Sequence, residues 1–391
     1  MHLLLKPLLL LVPAVSFFAL DGKNTTTEKP LPPVTVKKDA PAPKIQVAVL
    51  LDVSNSMDGL IEQAKAQLWN MVSVMGRAKC NEVTPNIEIA LYEYGRSSND
   101  AAKGYVKQIN PFSLDLDEVS RSLFSLTTNG GSEYCGQVIY TSLDELAWDT
   151  ASTSYKAIFI AGNEDFLQGS VTYTKACEEA RKKGVVVNTI YCGDRMQGIR
   201  EHWELAGECG NGSFTCINQN AKIPDIPTPY DTLLISLNSK LNKTYIGYGS
   251  MGAGNIARQE AVDQMNAKAG AGIAAKRTAV KSKAALYDNR SWDMVDAART
   301  DKDFLKKLDQ KDLPEELKGK SSEEITKIVN QKQEERSNIQ KEIATVNTQR
   351  EKYIADERAK AAANTNNPAT LETEVEKIIK EQAKRKNMVI Q

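Results

Sequence analysis

From residue 44 onward the chain alternates short apolar runs with amphipathic stretches. Ile45–Leu51 reads IQVAVLL, a continuous apolar run of strand length; GLIEQAKAQLWNMVSVMGRA follows with apolar residues at helical spacing, and NIEIALYEYG returns to strand texture. The order continues through VSRSLFSL, QVIYTSLDELAW, the apolar YKAIFIAG (Tyr155–Gly162), the helical YTKACEEARKKG and the β-branched VVVNTIYCG (Val185–Gly193), and a last helix falls near Leu233–Leu241. Strands without polar alternation are buried on both faces, and strands separated by helices are joined by crossovers. The pattern therefore predicts an α/β domain over residues 44–245: a doubly wound, mostly parallel sheet with helices on both sides.

Beyond Tyr245 the texture changes to a Gly/Ala-rich joint and then to long Ala-, Lys-, Glu- and Gln-rich stretches, which predict an all-α extension over residues 246–391. Ser321-Ser322-Glu323-Glu324 supplies a capping box for a long helix. Ile325, Ile328, Ile339, Ile343, Val346 and Tyr353 fall on one side of it, with Lys332 and Glu335 or Arg336 interrupting the stripe. Two readings stay open: a helical hairpin packed on its own body, or a coiled-coil rod through which the chain oligomerises or binds a partner. After Asn364–Thr370, LETEVEKIIKEQAKRK predicts a short terminal helix with Lys384, Arg385 and Lys386 complementing the dipole of its last turn.

The N-terminal end has a different character. A short leader with His2 and Lys6, an apolar stretch from Leu8 to about Leu20 and an abrupt polar return make residues 1–20 a signal-peptide candidate. Residues 21–43, rich in Pro, Thr and Lys, bury little apolar area and read as a linker. No later segment is apolar enough for a membrane span. Export from the cytoplasm is the expectation, and such a compartment permits disulfides among Cys80, Cys135, Cys177, Cys192, Cys209 and Cys216. Cys209 and Cys216, bracketing the turn-rich GNGSFT, are the one pair the spacing suggests; reduced, buried thiols are the alternative for the rest.

Fifty basic and 50 acidic side chains in 391 residues leave a formal net charge of zero. That lacks the basic excess of a nucleic-acid binder and points to a protein, small ligand or metal as partner. With His2 and His202 as the only histidines, a multi-histidine metal site is excluded. A histidine-dependent hydrolase would have to use His202, which sits beside Trp203 in a helical pattern and reads as structural.

The sharpest chemistry follows the first strand, in VLLDVSNSMDG. Asp52, Ser54 and Ser56 stand where an open α/β sheet builds ligand sites, and in an extended turn residues two apart point the same way. One carboxylate and two hydroxyls suit a hard cation such as Mg²⁺, with Mn²⁺ or Ca²⁺ as alternatives. Neutral hydroxyl donors leave the ion electrophilic, so it can accept a carboxylate from another molecule. The competing reading is that these side chains hydrogen-bond their own loop and cap the helix starting near Asp58.

D-x-S-x-S after a buried first strand, the helix carrying Trp69 and the order of later elements over residues 44–243 resemble the von Willebrand factor type A domain. The whole chain, including SMDGLIEQAKAQLW, TNGGSEYCG, FIAGNED and WDMVDA, is similar to exported bacterial proteins of this type with a helical C-terminal extension. The resemblance implies a periplasmic or cell-surface location and a metal-ion-dependent adhesion site begun by Asp52, Ser54 and Ser56. It implies Ser132, after Gly130-Gly131, as the second-motif hydroxyl, with Thr128 and Glu133 nearby. The third-motif aspartate is absent: Gly162 stands in its place, and Asn163, Glu164 or Asp165 would have to substitute, or Glu133 from the opposite loop.

Other patterns carry less. Gly247–Gly252 matches G-x-G-x-x-G, but at the end of the α/β domain with no buried strand after it, where a flexible joint is expected. Asp115, Asp117 and Glu118 suit the first turn of a helix. No nucleophile–base pair is apparent, so the expected function is non-enzymatic: an exported envelope protein that binds a protein or peptide through an acidic side chain completing a metal site. The alternative is an envelope scaffold acting through its C-terminal helices, with a degenerate metal site.

Overall fold

The computed structural model describes residues 43–55, 57–80, 82–217, 226–362 and 371–390. The signal-peptide candidate, the linker up to residue 42 and Ser56 lie outside the described residues. In chain order the elements are β1 (Lys44–Asp52), α1 (Asp58–Met75), β2 (Ala78–Cys80), β3 (Asn86–Tyr94), β4 (Lys107–Ser113), α2 (Leu116–Ser125), α3 (Cys135–Glu145), β5 (Tyr155–Gly162), α4 (Tyr173–Lys183), β6 (Val186–Cys192), α5 (Arg195–Arg200), α6 (Trp203–Cys209), β7 (Asn211–Ile217) and α7 (Asp231–Asn242). The C-terminal part adds α8 (Gly252–Ala269), α9 (Ala271–Lys281), α10 (Met294–Thr300), α11 (Phe304–Lys307), α12 (Ser322–Ala362), α13 (Leu371–Lys384) and β8 (Met388–Ile390).

Six strands form one sheet in the order β4-β3-β1-β5-β6-β7. Every pairing is parallel except β3 with β4. Alternation along each strand divides the interior into two layers. Val47, Leu51, Ile89, Leu91 and Phe159 face α1, α2 and α13 through Leu60, Trp69, Val119, Leu123, Val375 and Ile379. Ala48, Leu50, Ala90, Tyr92, Ile158 and Ile160 face α3, α4 and α6 through Val138, Leu143, Ala176, Ala180 and Trp203. Strand order reverses at β1, with β3 on one side and β5 on the other, so the connections leaving these carboxyl ends diverge there.

The extension is not purely helical: β8 pairs antiparallel with β2, Ala78 opposite Ile390. A three-residue strand has too short a pattern to separate from a fraying helix end. Nor does a boundary at residue 246 separate two bodies, since Ala42–Gln391 forms one compact unit. Buried polar contacts hold the two parts together. Trp69 donates its indole N–H to Asn266 Oδ1 at 2.6 Å, and Arg277 bridges Asp263 and Asp117, each at 2.6 Å. Asp115 does cap α2, accepting from the amides of Asp117 and Glu118.

The Gly247–Gly252 segment is a packed turn rather than a flexible joint. Tyr248 N–H donates to Trp292 O at 2.8 Å and Gly249 N–H to Asp312 O at 2.8 Å, and a Cβ on Gly247 would lie 2.7 Å from the carbonyl carbon of Gly252. Those glycines serve a close backbone approach.

Candidate functional site

Asp52 ends β1 at the strand-order reversal, fully buried, and its Oδ1 accepts the Ser54 amide at 2.7 Å. This closes the β1–α1 loop as an Asx turn and places Ser54, 5% exposed, directly above the carboxylate. The N-cap of α1 is Met57, whose side chain makes no cap bond. Three further loops meet this one. Asn129 N–H donates to Val53 O at 2.8 Å, Gly130 N–H to Asn55 Oδ1 at 2.7 Å and Ser97 N–H to Gly130 O at 2.9 Å. The segment carrying Thr128, Ser132 and Glu133 is thereby laid across the carboxyl ends of β1 and β3. A Cβ on Gly95 would fall 2.9 Å from Asp52 Oδ1 and 3.0 Å from Glu133 Cγ, so the two acids converge on that glycine, whose φ of 83° also suits no other residue well.

Not every predicted residue joins this cup. Thr128 donates its hydroxyl to Asp58 at the start of α1, and Asp165 accepts from the Leu167 amide at 3.0 Å and meets His202 Nδ1 at 3.1 Å. Both are occupied in holding loops. Asn163 and Glu164 stay beside the carboxylate: Asn163 N–H is a hydrogen-bonding neighbour of Asp52, and the Glu164 charge acts on both Asp52 and Glu133. Ser132 is half-buried on the rim, and Ser56 lies outside the described residues.

The sheet register explains the glycine at position 162. Asp52 lies opposite Tyr94 in the β1–β3 pairing, and Tyr94 reaches across β1 to donate its hydroxyl to Ala161 O at 3.0 Å. A Cβ at position 162 would stand 2.5 Å from Tyr94 Oη and 3.1 Å from Asp52 Oδ2. The tyrosine fills the space that a side chain at position 162 would need. Tyr94, Gly95 and Asn55 are the site residues that the sequence did not single out; only the pairing of β1 with β3 reveals the first.

The electrostatics follow from this crowding. Burial, then the charge of Glu164, raises Asp52 to about 6, against the stabilising Ser54 and Asn163 contacts. Burial and the neighbouring Asp52 and Glu164 charges push Glu133 up to about 7. Among the described residues Asp52 Oδ2 is buried with no hydrogen-bond partner. No group of three or more His, Cys, Asp and Glu positioned to hold a metal occurs among them. The donor set therefore fits a hard cation only through Asp52 with serine hydroxyls and one further acid, Glu133 being the acid packed against Asp52.

The six cysteines are free thiols, so the Cys209–Cys216 pairing is not made. Cys209 ends α6 against α4, while the intervening turn carries Cys216 along β7, opposite Tyr191.

No protein-family model matches the sequence, and no curated protein matches it. Among solved structures the chain is similar to an aerotolerance-related membrane protein from Bacteroides fragilis, at 16% identity and a TM-score of 0.32 over 45% of this chain and 93% of that one. It is similar to the SpRpn10 VWA domain, at 12% identity and a TM-score of 0.34 over 46% and 90%. Proximal thread matrix protein 1 from the mussel byssus, with a zinc-occupied MIDAS motif, matches at 14% identity and a TM-score of 0.31 over 45% and 42%. The architecture itself rests on the strand order, connections and layers described above: a doubly wound α/β domain with a helical C-terminal region.

Proposed function

We propose that this chain is an exported, non-enzymatic binding protein of the bacterial periplasm or cell surface, whose crevice at the carboxyl end of β1 holds a divalent cation. Asp52, Ser54, Ser56 and Ser132 supply its oxygens and Glu133 the second negative charge. The ion, Mg²⁺ or else Mn²⁺ or Ca²⁺, would provide an open coordination position for an acidic side chain of a protein or peptide partner. The observation that carries this reading is the buried Asp52 carboxylate oxygen, at the strand-order reversal, that has no partner among the described residues. A buried polar atom left unpaired costs about 1–3 kcal/mol, and a cation removes that cost.

A ligand bound only by the folded state raises Tm by mass action. Millimolar Mg²⁺ or Mn²⁺ is expected to raise the Tm of the full chain by several degrees, and Asp52→Ala is expected to abolish the shift. An unchanged Tm in the wild type would remove the metal from the account. The position blocked by Tyr94 favours a second reading, a scaffold acting through α12 and α13 with a degenerate site. In that case partner recovery from the envelope survives Asp52→Ala and chelation, whereas metal-dependent docking loses it under both.

A further inference from the structure

Cys177 lies on α4 and Cys209 in the last turn of α6, close enough that the Cys209 thiol acts on the ionisation of Cys177. Small residues make the approach possible: Ala176 and Ala180 on α4 and Ala206 and Gly207 on α6 are all buried. Cys177 Sγ donates to Ala206 O at 3.7 Å, and Arg181 Nη1 lies 3.9 Å from Cys209 Sγ while donating to Cys209 O at 3.0 Å. Cys209 is half-buried, so a reagent reaches it, and the Arg181 guanidinium lies beside its sulfur.

The remaining thiols have no such arrangement. Cys192 and Cys216 sit on neighbouring strands one register step apart and belong to opposite layers, Cys192 packing under α1 and Cys216 under α6. The pleat points their Sγ atoms apart. Cys135 lies 3.8 Å from the Tyr94 hydroxyl, and Cys80 is on β2, in the layer under α1.

We propose that Cys177 and Cys209 are the site of an oxidative cross-link, a disulfide that ties α4 to the end of α6. The oxidant is a disulfide of small-molecule or protein origin. The Cys209 thiolate attacks one of its sulfurs, forming a mixed disulfide and releasing one thiol. Cys177 then gives up its proton and attacks the Cys209 sulfur, displacing the second thiol; two protein thiols become one disulfide and the oxidant becomes two thiols. Strong burial of Cys177, which holds its thiol well above the ordinary cysteine range, makes it the resolving rather than the attacking group.

Full-length native protein is incubated with oxidised glutathione, alkylated and digested without reduction. Titratable thiols are expected to fall from six to four, with a peptide pair joined through Cys177 and Cys209. Cys209→Ser is expected to give no internal cross-link, which keeps the test valid should the buried Cys177→Ser fold poorly. The cross-link closes a loop of about 33 residues, and on the chain-entropy scale lowers the unfolding equilibrium constant on the order of a few hundred-fold. The wild type is therefore expected to show a higher urea midpoint oxidised than reduced, and Cys209→Ser none. Linkage of Cys209 to Cys216, cross-linking only between molecules, or six thiols remaining after oxidation would each overturn the proposal.

Discussion

Asp52 is pulled in two directions. Its backbone contacts favour the carboxylate, while its burial and its acidic neighbours favour the neutral acid, and burial dominates. The sign of the pH dependence follows. With Asp52 raised from 3.8 to about 6 and Glu133 from 4.5 to about 7, the folded state binds these protons more tightly than the unfolded one. The metal-free protein is therefore expected to lose stability as pH climbs from about 4 to about 7. Asp52→Asn is expected to flatten that slope in urea titrations at a series of pH values. Gly162 gives a steric test: Gly162→Ala puts a methyl against Tyr94 Oη and is expected to cost about 1–3 kcal/mol. Adding Tyr94→Phe, which removes the nearest atom, is expected to recover part of the loss, as urea midpoints would show. Asp52 and Ser54 were legible from residue type and position after a strand, Ser132 and Glu133 only through the family resemblance. The tyrosine blocking Gly162 was not, because residues 94 and 162 meet only through sheet pairing.

The long helix α12 shows how an element's pattern is misread without its neighbours. Ile325, Val329, Arg336, Ile343, Val346, Arg350 and Ile354 are its buried positions, a seam that continues through arginines. In the sequence Arg336 reads as an interruption. In the fold it is 4% exposed, donating to Asp293 Oδ2 at 2.6 Å, Asp296 Oδ1 at 2.9 Å and Thr244 O at 2.8 Å, with its guanidinium 4.0 Å from the Tyr245 ring centroid. Arg350 likewise meets Asp231 at 2.7 Å. The seam is thus already occupied by this chain's own α7, α9 and α10. Removing one member of a buried ion pair strands the other, so Arg336→Ala is expected to cost about 3–5 kcal/mol, measured as a drop in ΔG of unfolding. Arg299→Ala, a half-exposed partner of the same Asp296, is expected to cost under about 1 kcal/mol.

The C-terminal region is part of the core of the α/β body. Val375, Ile378, Ile379, Ala383 and Met388 lie in the layer under α1. Gln382, 1% exposed, donates to Asn188 Oδ1 at 2.6 Å on β6 and accepts the Tyr155 hydroxyl at 2.9 Å on β5. A chain ending at residue 370 would open this layer to water and leave Asn188 without the glutamine that fills its pairing. It is expected to unfold at lower urea concentration, with reduced cooperativity, or to aggregate; an unchanged transition would show the last helix to be dispensable. Tests of the scaffold reading are for that reason better made with surface substitutions on α12 than by truncation.

Local pattern alone determined the alternation of strand and helix, the parallel sheet, the helical C-terminal region and the place of Asp52 and Ser54 at the end of the first strand, because periodicity and loop position are properties of neighbouring residues. Tertiary structure decided which thiol meets which, that Tyr94 excludes a side chain at Gly162, and that α12 closes its seam on its own body. Those outcomes join residues tens to hundreds of positions apart, where charge pairing and available volume, rather than sequence spacing, set the result.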